Sequence, residues 1–594
     1  MLLAATVLVA CLTEIHSQSL KPSCDSPIYC KGELLHDVQM ARLFNDSKTF
    51  VDLKLRKPEK EVLNAFDNLK NKYNRTIPKE QLRDFVDEYF VDCPADPKCK
   101  ELEVWEPNDW KPDPNILDRI ADQNYRGWAK KLNHIWRELS RKMSSTVLKD
   151  KTMTSLIYLP NGFVIPGGRF KEMYYWDNYW IIKGLLHCDM FETVKGVIEN
   201  FFELVKKIGH IPNGSRVYYK ERSQPPMLTL MVDAYVRSSR DEGFINRGTL
   251  EILDKELMYF IQNRQVDVKK NGTLHKLYRY YAPSSGPRPE SYREDFLLAE
   301  DLPSQDSKTK LYVNLKSAAE SGWDFSSRWY ITENGTNEGT LKDVQTEYII
   351  PVDLNAILFG CFETISKWFQ WVGDFEKYWF YRFKAIELAT GIEKVMWNKR
   401  DGIWYDYDNL NFKQRKYFYS SNFAPLWTGA YTFYRPELSR NIINYIFKMG
   451  INKHRGGTPQ SIYDTGEQWD YPNAWAPNQA IIIQGLQRLG TREAEEMAAQ
   501  LASKWVYTNY RGFEETGKMF EKYNSELVGS GGGGGEYAPQ EGFGWTNGVI
   551  FELLDYYGRY FRSTNRVEPT SVSQGYISRS QVYLLLFTGF VKLL

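Results

Sequence analysis

The sequence predicts an all-α protein built from helix pairs, and three observations lead there. Apolar residues recur at three- and four-residue spacing over long stretches. Alternating, strand-like patterns are scarce. The segments between the helical patterns are crowded with aromatic, charged and glycine residues, which marks them as working loops rather than plain connections.

The elements follow in order. Residues 178–208 hold the helical period with one break near Asp189. Residues 352–372, 437–449, 477–489 and 492–508 hold it as well. Pro477 suits the first turn of the helix it opens. Gly322 suits the end of the helical pattern before it. No Pro/Gly/Ser-rich linker divides the chain, so a single domain is expected over 18–562, with an N-terminal extension. No internal repeat is visible, which leaves a regular solenoid unsupported.

Both ends differ from this pattern. Residues 2–12 form an apolar run too short to span a bilayer, followed by a polar stretch with small residues. That is a secretory leader over 1–17, without the usual positive charge at its start. After Phe561, the polar segment 562–581 leads into VYLLLFTGFVKLL, which is too short for a spanning helix. A disordered or weakly docked tail is the first reading, and a lipid-anchor signal is the second. The protein is therefore expected to be secreted, with membrane attachment the less favoured alternative.

The 76 Lys and Arg balance 75 Asp and Glu, so no basic field exists to hold nucleic acid, and a small neutral partner is favoured. Seven His and no zinc-like cysteine spacing argue against a metal enzyme. Loss of the leader removes Cys11. Cys24, Cys30, Cys93 and Cys99 remain near the N-terminus, as a disulfide-permissive compartment allows, with their pairing open. Cys188 and Cys361 lie in apolar helical stretches and read as buried thiols. Sequons at Asn45, Asn74, Asn271 and Asn334 are expected to carry N-glycans. Asn213 also matches, but it lies in a candidate binding loop and is expected to be bare.

The loops carry the chemistry. Residues 166–180 (PGGRFKEMYYWDNYW) set Arg169, Glu172 and Asp177 among flat rings, a mixture suited to a polyhydroxylated ligand. Asp177 could equally cap the next helix. Residues 213–226 add Arg222 and Gln224, and 283–295 add Arg288 and Glu290. Singly, each arginine reads as a surface ion; together, they read as a site. Asp324 lies between Trp323 and Phe325, where desolvation would hold a carboxyl protonated as an acid; a capping role is the alternative. Asp470 sits among Trp469, Trp475 and two prolines. The glycine run at 531–535 lacks the Lys-Ser/Thr of a phosphate loop and reads as a flexible lid. Glu521, Glu536 and Glu541 lie near it, and residue chemistry does not separate them.

PGGRFKEMYYWDNYW and QWDYPNAWAP (468–477) resemble both signature motifs of the trehalases, inverting glycosidases that split α,α-trehalose. GGGGGEY and GFGWTNG fit the same resemblance, which covers roughly 40–560. Leader and sequons look like an animal member, such as an insect one. The resemblance implies an (α/α)6 barrel, a helical toroid with long active-site loops, and no cofactor or metal. It implies Asp324 as general acid and Glu521 as general base. It places Arg169, Trp176, Asp177, Asn213, Arg222, Ser223, Gln224, Arg288, Pro289, Glu290, Gly322 and Glu536 on the disaccharide. A non-catalytic sugar binder and a hydrolase of another α-glucoside are the alternatives.

Overall fold

The computed structural model describes residues 20–93, 96, 98–431 and 436–564. The leader and the tail from 565 lie outside the described residues.

Twelve helices form the body. Six of them are α2 (Asp177–His187), α4 (Leu228–Ser239), α6 (Val352–Trp371), α8 (Ala424–Thr428), α10 (Ala476–Leu489) and α12 (Gly544–Tyr557). Each packs on the next, and α12 closes the ring on α2. The other six alternate with them along the chain: α1 (Gln123–Leu139), α3 (Phe191–Ile208), α5 (Arg247–Asn263), α7 (Phe375–Gly391), α9 (Leu438–Met449) and α11 (Arg492–Thr516). These lie outside the ring, for example α7 against α6 and α11 against α10. The result is an (α/α)6 barrel.

The two rings differ in sequence for a physical reason. Inner helices are covered on every side, so α10 buries Ala480, Ile481, Ile482, Ile483 and Leu486 in near succession. An outer helix needs one apolar face. Thus α3 buries Val194, Val197, Ile198, Phe201 and Val205 while Lys206 and Lys207 stay outside. The break expected near Asp189 falls between α2 and α3, with Asp189 at φ 63°. Helix α11 runs to Thr516, past the expected 508, because nothing stops it before left-handed Gly517.

Strands are short and confined to sheets of two or three. One antiparallel pair bears on the site: β1 (Asn473–Trp475) and β2 (Lys522–Asn524), with Trp475 opposite Lys522. Ahead of the barrel, a lobe over 20–93 has its own core, including Leu34, Phe50, Val62 and Phe85. That core also takes in Tyr174, Tyr218 and Tyr219 of the barrel loops.

Cys24–Cys30 and Cys93–Cys99 form disulfides, while Cys188 and Cys361 are buried free thiols. Asn45, Asn74, Asn271 and Asn334 are exposed, whereas Asn213 is buried. Among the described residues, no helix is long and apolar enough to cross a membrane.

Candidate active site

The loops entering the inner helices converge on one cavity. Its floor is aromatic. Trp469 and Trp475 stack at 3.8 Å, and Trp323 stacks on the other face of Trp469 at 5.3 Å. Trp176 and Trp545 meet edge to face at 5.8 Å beside them. Gly322, at φ 76°, lets the chain pass where a Cβ would lie 2.6 Å from Trp176.

Three arginines line the walls, and each is already held. Arg169 is gripped by both oxygens of Asp46 at 2.7 Å, with its guanidinium 4.5 Å from the Tyr537 ring. Arg222 donates to Glu290 at 2.5 Å and to Asn213 at 3.0 Å. Arg288 donates to Asp295 at 2.6 Å and to Glu536 at 2.8 Å. Gln224 accepts from the Trp176 backbone N–H at 3.0 Å, which ties the second loop to the first.

That pairing leaves three cavity carboxyls without a salt bridge among the described residues: Asp177, Asp324 and Glu521. Burial raises all three. Asp324 is pushed up to about 6, although the charges of Arg288 and Arg222 oppose the shift. Asp177 rises well above the carboxylate range, helped by the charges of Glu521 and Asp324. Glu521 rises too, but the nearby Lys522 ammonium and the Tyr537 hydroxyl restrain it. Glu290 moves the other way: burial would raise it, but Arg222 and Arg288 hold it below its ordinary value.

The two carboxyls expected to react sit in different surroundings. Glu521 accepts from Tyr537 Oη at 2.9 Å and from the Gln540 N–H at 3.4 Å, so its oxygens are solvated for the ionised form. Asp324 faces the cavity, and its backbone carbonyl accepts from Gln468 Nε2. Gln468 Oε1 in turn accepts from Lys522 Nζ at 2.8 Å. One glutamine thus links the Asp324 backbone to the residue after Glu521.

Twelve of the fourteen expected positions line the cavity: Arg169, Trp176, Asp177, Asn213, Arg222, Gln224, Arg288, Glu290, Gly322, Asp324, Glu521 and Glu536. Ser223 and Pro289 do not. Ser223 is buried, its hydroxyl on the Ile211 carbonyl and its N–H on Glu320. Pro289 opens a buried 3-10 turn that aims its neighbours. Asp177 is the first residue of α2 and makes no side-chain cap there. Glu172 turns away from the cavity to Lys48, at 2.8 Å, and Arg216, at 3.0 Å. Asp470 is also outside; it accepts from Ser326 and Ser327 at 2.8 Å and so holds the turn after Asp324. Glu541 pairs with Lys518 at the surface. Sequence reasoning missed Asp46, Asp295, Lys522 and Tyr537. Tyr537 stood in the GGGGGEY motif, but nothing local marked Asp46.

The glycine run, read from composition as a flexible lid, is closely packed at some positions and exposed over Gly533, Gly534 and Gly535. Cβ atoms on Gly532 and Gly534 would lie 2.4 Å from Asn473 Oδ1 and the Gly466 carbonyl. Gly532 and Gly534 thus permit close packing of the chain just before Glu536.

A helical toroid with this carboxyl-lined mouth defines a glycoside hydrolase. The trehalase family model matches residues 42–558. Trehalase of Bombyx mori is 45% identical over 568 residues, covering 95% of this chain and 96% of that protein. Human trehalase is 45% identical over 541 residues, covering 91% of each. Neutral trehalase Nth1 from Saccharomyces cerevisiae shares the fold at a TM-score of 0.53 and 22% identity, covering 67% of this chain and 74% of that one. The chain belongs to the trehalase family.

Proposed function

We propose that this enzyme hydrolyses α,α-trehalose to two glucose molecules, inverting one anomeric carbon, with Asp324 as general acid and Glu521 as general base. Trehalose joins two glucoses through their anomeric carbons, so protonating the bridging oxygen is the step that frees a leaving group. Protonated Asp324 gives that proton. Ionised Glu521 takes a proton from water on the opposite face, and the water oxygen bonds to the anomeric carbon as the glycosidic bond breaks. The products are one α- and one β-glucose. Arg169, Arg222, Arg288, Glu290 and Glu536 hold hydroxyls, while the tryptophan floor covers the CH faces of the sugar.

The observation that carries this reading is the unequal setting of two unpaired carboxyls. Asp324 is desolvated and raised to about 6, fit to keep a proton. Glu521 keeps two donors and a nearby cation, fit to lose one. Glu536, which sequence alone left as a rival base, is paired with Arg288.

The test is proton NMR of the anomers released from trehalose. Equal initial amounts of α- and β-glucose are expected. Release of α-glucose alone would mean retention and defeat the assignment. Asp324→Asn and Glu521→Gln should each lower kcat by about 10²–10⁴-fold. Turnover of maltose faster than trehalose would instead favour another α-glucoside as substrate.

Secretion and N-glycosylation belong to the same proposal. Two disulfides and exposed sequons at Asn45, Asn74, Asn271 and Asn334 support it.

A further inference from the structure

Helix α7 packs Tyr381, Ala385, Leu388 and Ala389 against the barrel. Tyr381 and Lys377 tie it to Asp254 of α5, at 2.7 Å each. That inward face is the one apolar face an outer helix needs. Yet α7 has a second. Phe375, Trp379, Phe383 and Ile386 recur at helical spacing along the outward side, and Trp371 at the end of α6 extends the row. These five side chains are 47–62% exposed. Trp379 and Phe383 stack on each other at 5.6 Å.

Half-exposed aromatic side chains present roughly 100 Å² each, so the row offers on the order of 500 Å² of apolar surface. That is at the upper end of what monomers leave open. A stable dimer of standard size buries about 800 Å² on each partner, and the row with its charged borders approaches that area.

The borders point to what covers it. On one side lie Glu376 and Glu387, with Lys384 answering Glu387 at 3.3 Å. On the other lie Arg382 and Lys367, which share Glu363. One border is therefore acidic on balance and the other basic. A two-fold axis parallel to the helix brings unlike borders together on both sides of the row. A two-fold axis across the helix would bring like borders together.

We propose that this aromatic row is the interface between two copies of this chain, with their α7 helices side by side and parallel. Rotating a parallel-packed pair keeps both barrel mouths on the same side of the assembly. The hydrophobic core of such an interface matches the enrichment of Trp and Phe in protein–protein interfaces.

The test is sedimentation of the purified full chain at micromolar concentration. The wild type should sediment as a dimer. Trp379→Glu with Phe383→Glu should sediment as a monomer, with association at least ~30-fold weaker. Trehalose turnover per chain should be unchanged, which shows that the variant folds. Glu376→Lys with Glu387→Lys should also weaken association, because like charges would then meet. A monomeric wild type, or a double glutamate variant that stays dimeric, overturns the proposal. A monomeric wild type that binds phosphatidylcholine vesicles through this row overturns it in favour of a lipid surface.

Discussion

In the proposed mechanism Asp324 and Glu521 hold opposite protonation states at the same pH, and their settings predict how activity follows pH. As the proposed acid Asp324 works protonated, so activity should fall as pH rises through about 6. As the proposed base Glu521 works ionised, so activity should fall as pH drops through a value raised above 4.5. A bell-shaped profile of kcat/KM with a mildly acidic optimum is expected. Lys522 narrows the window for error. Its ammonium lowers Glu521, and its Nζ anchors Gln468 against the Asp324 peptide. In Lys522→Met the acidic limb should move to higher pH as well as the maximum falling. A lower maximum with an unmoved limb would mean that Lys522 acts through packing alone. Sequence made Asp324 legible because its desolvating neighbours, Trp323 and Phe325, are adjacent. It could not separate Glu521 from Glu536, because the partner that distinguishes them, Arg288, lies far away in the chain and only folding brings it near.

Helices were legible for the same reason that the loops were not. A helix writes its contacts into a local period, so α3, α6, α9 and α10 fall within a residue or two of expectation. A loop is shaped by segments distant in sequence. Gly532 and Gly534 are the clearest case: composition suggested freedom, whereas the backbone there is pressed against Asn473 and Gly466. Gly534 sits at φ 74° with no room for a Cβ. Gly534→Ala should therefore destabilise the fold by about 1–3 kcal/mol and lower kcat/KM at least ~10-fold, as thermal melting and initial rates would show. A mobile lid would tolerate the change. Helix α5 yields a second test. Its buried Glu256, beside Tyr175, is raised by burial to about 8. A raised carboxyl contributes stability that is fully present below about 4.5 and is lost as pH rises through 8. Glu256→Gln escapes that loss. The variant should match the wild type near pH 4 and exceed it by on the order of 5 kcal/mol above pH 8. Equal melting temperatures across that range would count against a neutral Glu256.

At the scale of the molecule, the N-terminal lobe braces a wall of the barrel's cavity. Asp46 of the lobe supplies both oxygens that grip Arg169. Behind them, Lys48 and Asp52 of the lobe interlock with Glu172 and Arg216 of the barrel, and Tyr218 donates to Asp52 at 2.7 Å. Sequence gave no sign of this, since the lobe reads as an extension and its partners lie over a hundred residues on. The interlock has a thermodynamic consequence. Lys48 and Glu172 are both essentially buried, at 2% and 0% side-chain exposure. Removing the amine would leave Glu172 with one cation in place of two, and losing one partner of a buried pair costs about 3–5 kcal/mol. If lobe and barrel fold as one domain, Lys48→Met should lower the melting temperature of the whole enzyme and keep a single calorimetric transition. If the lobe is an independent appendage, the same variant should split the melt, with the lobe unfolding first and the barrel at its wild-type temperature. Asp46→Asn separates geometry from stability: it should melt near the wild type, yet lose about tenfold in kcat/KM as Arg169 is freed from one charged anchor. A variant with normal kinetics would place Arg169 under the control of the Tyr537 ring and of the Gln540 Oε1 that accepts from the Arg169 backbone N–H at 2.7 Å.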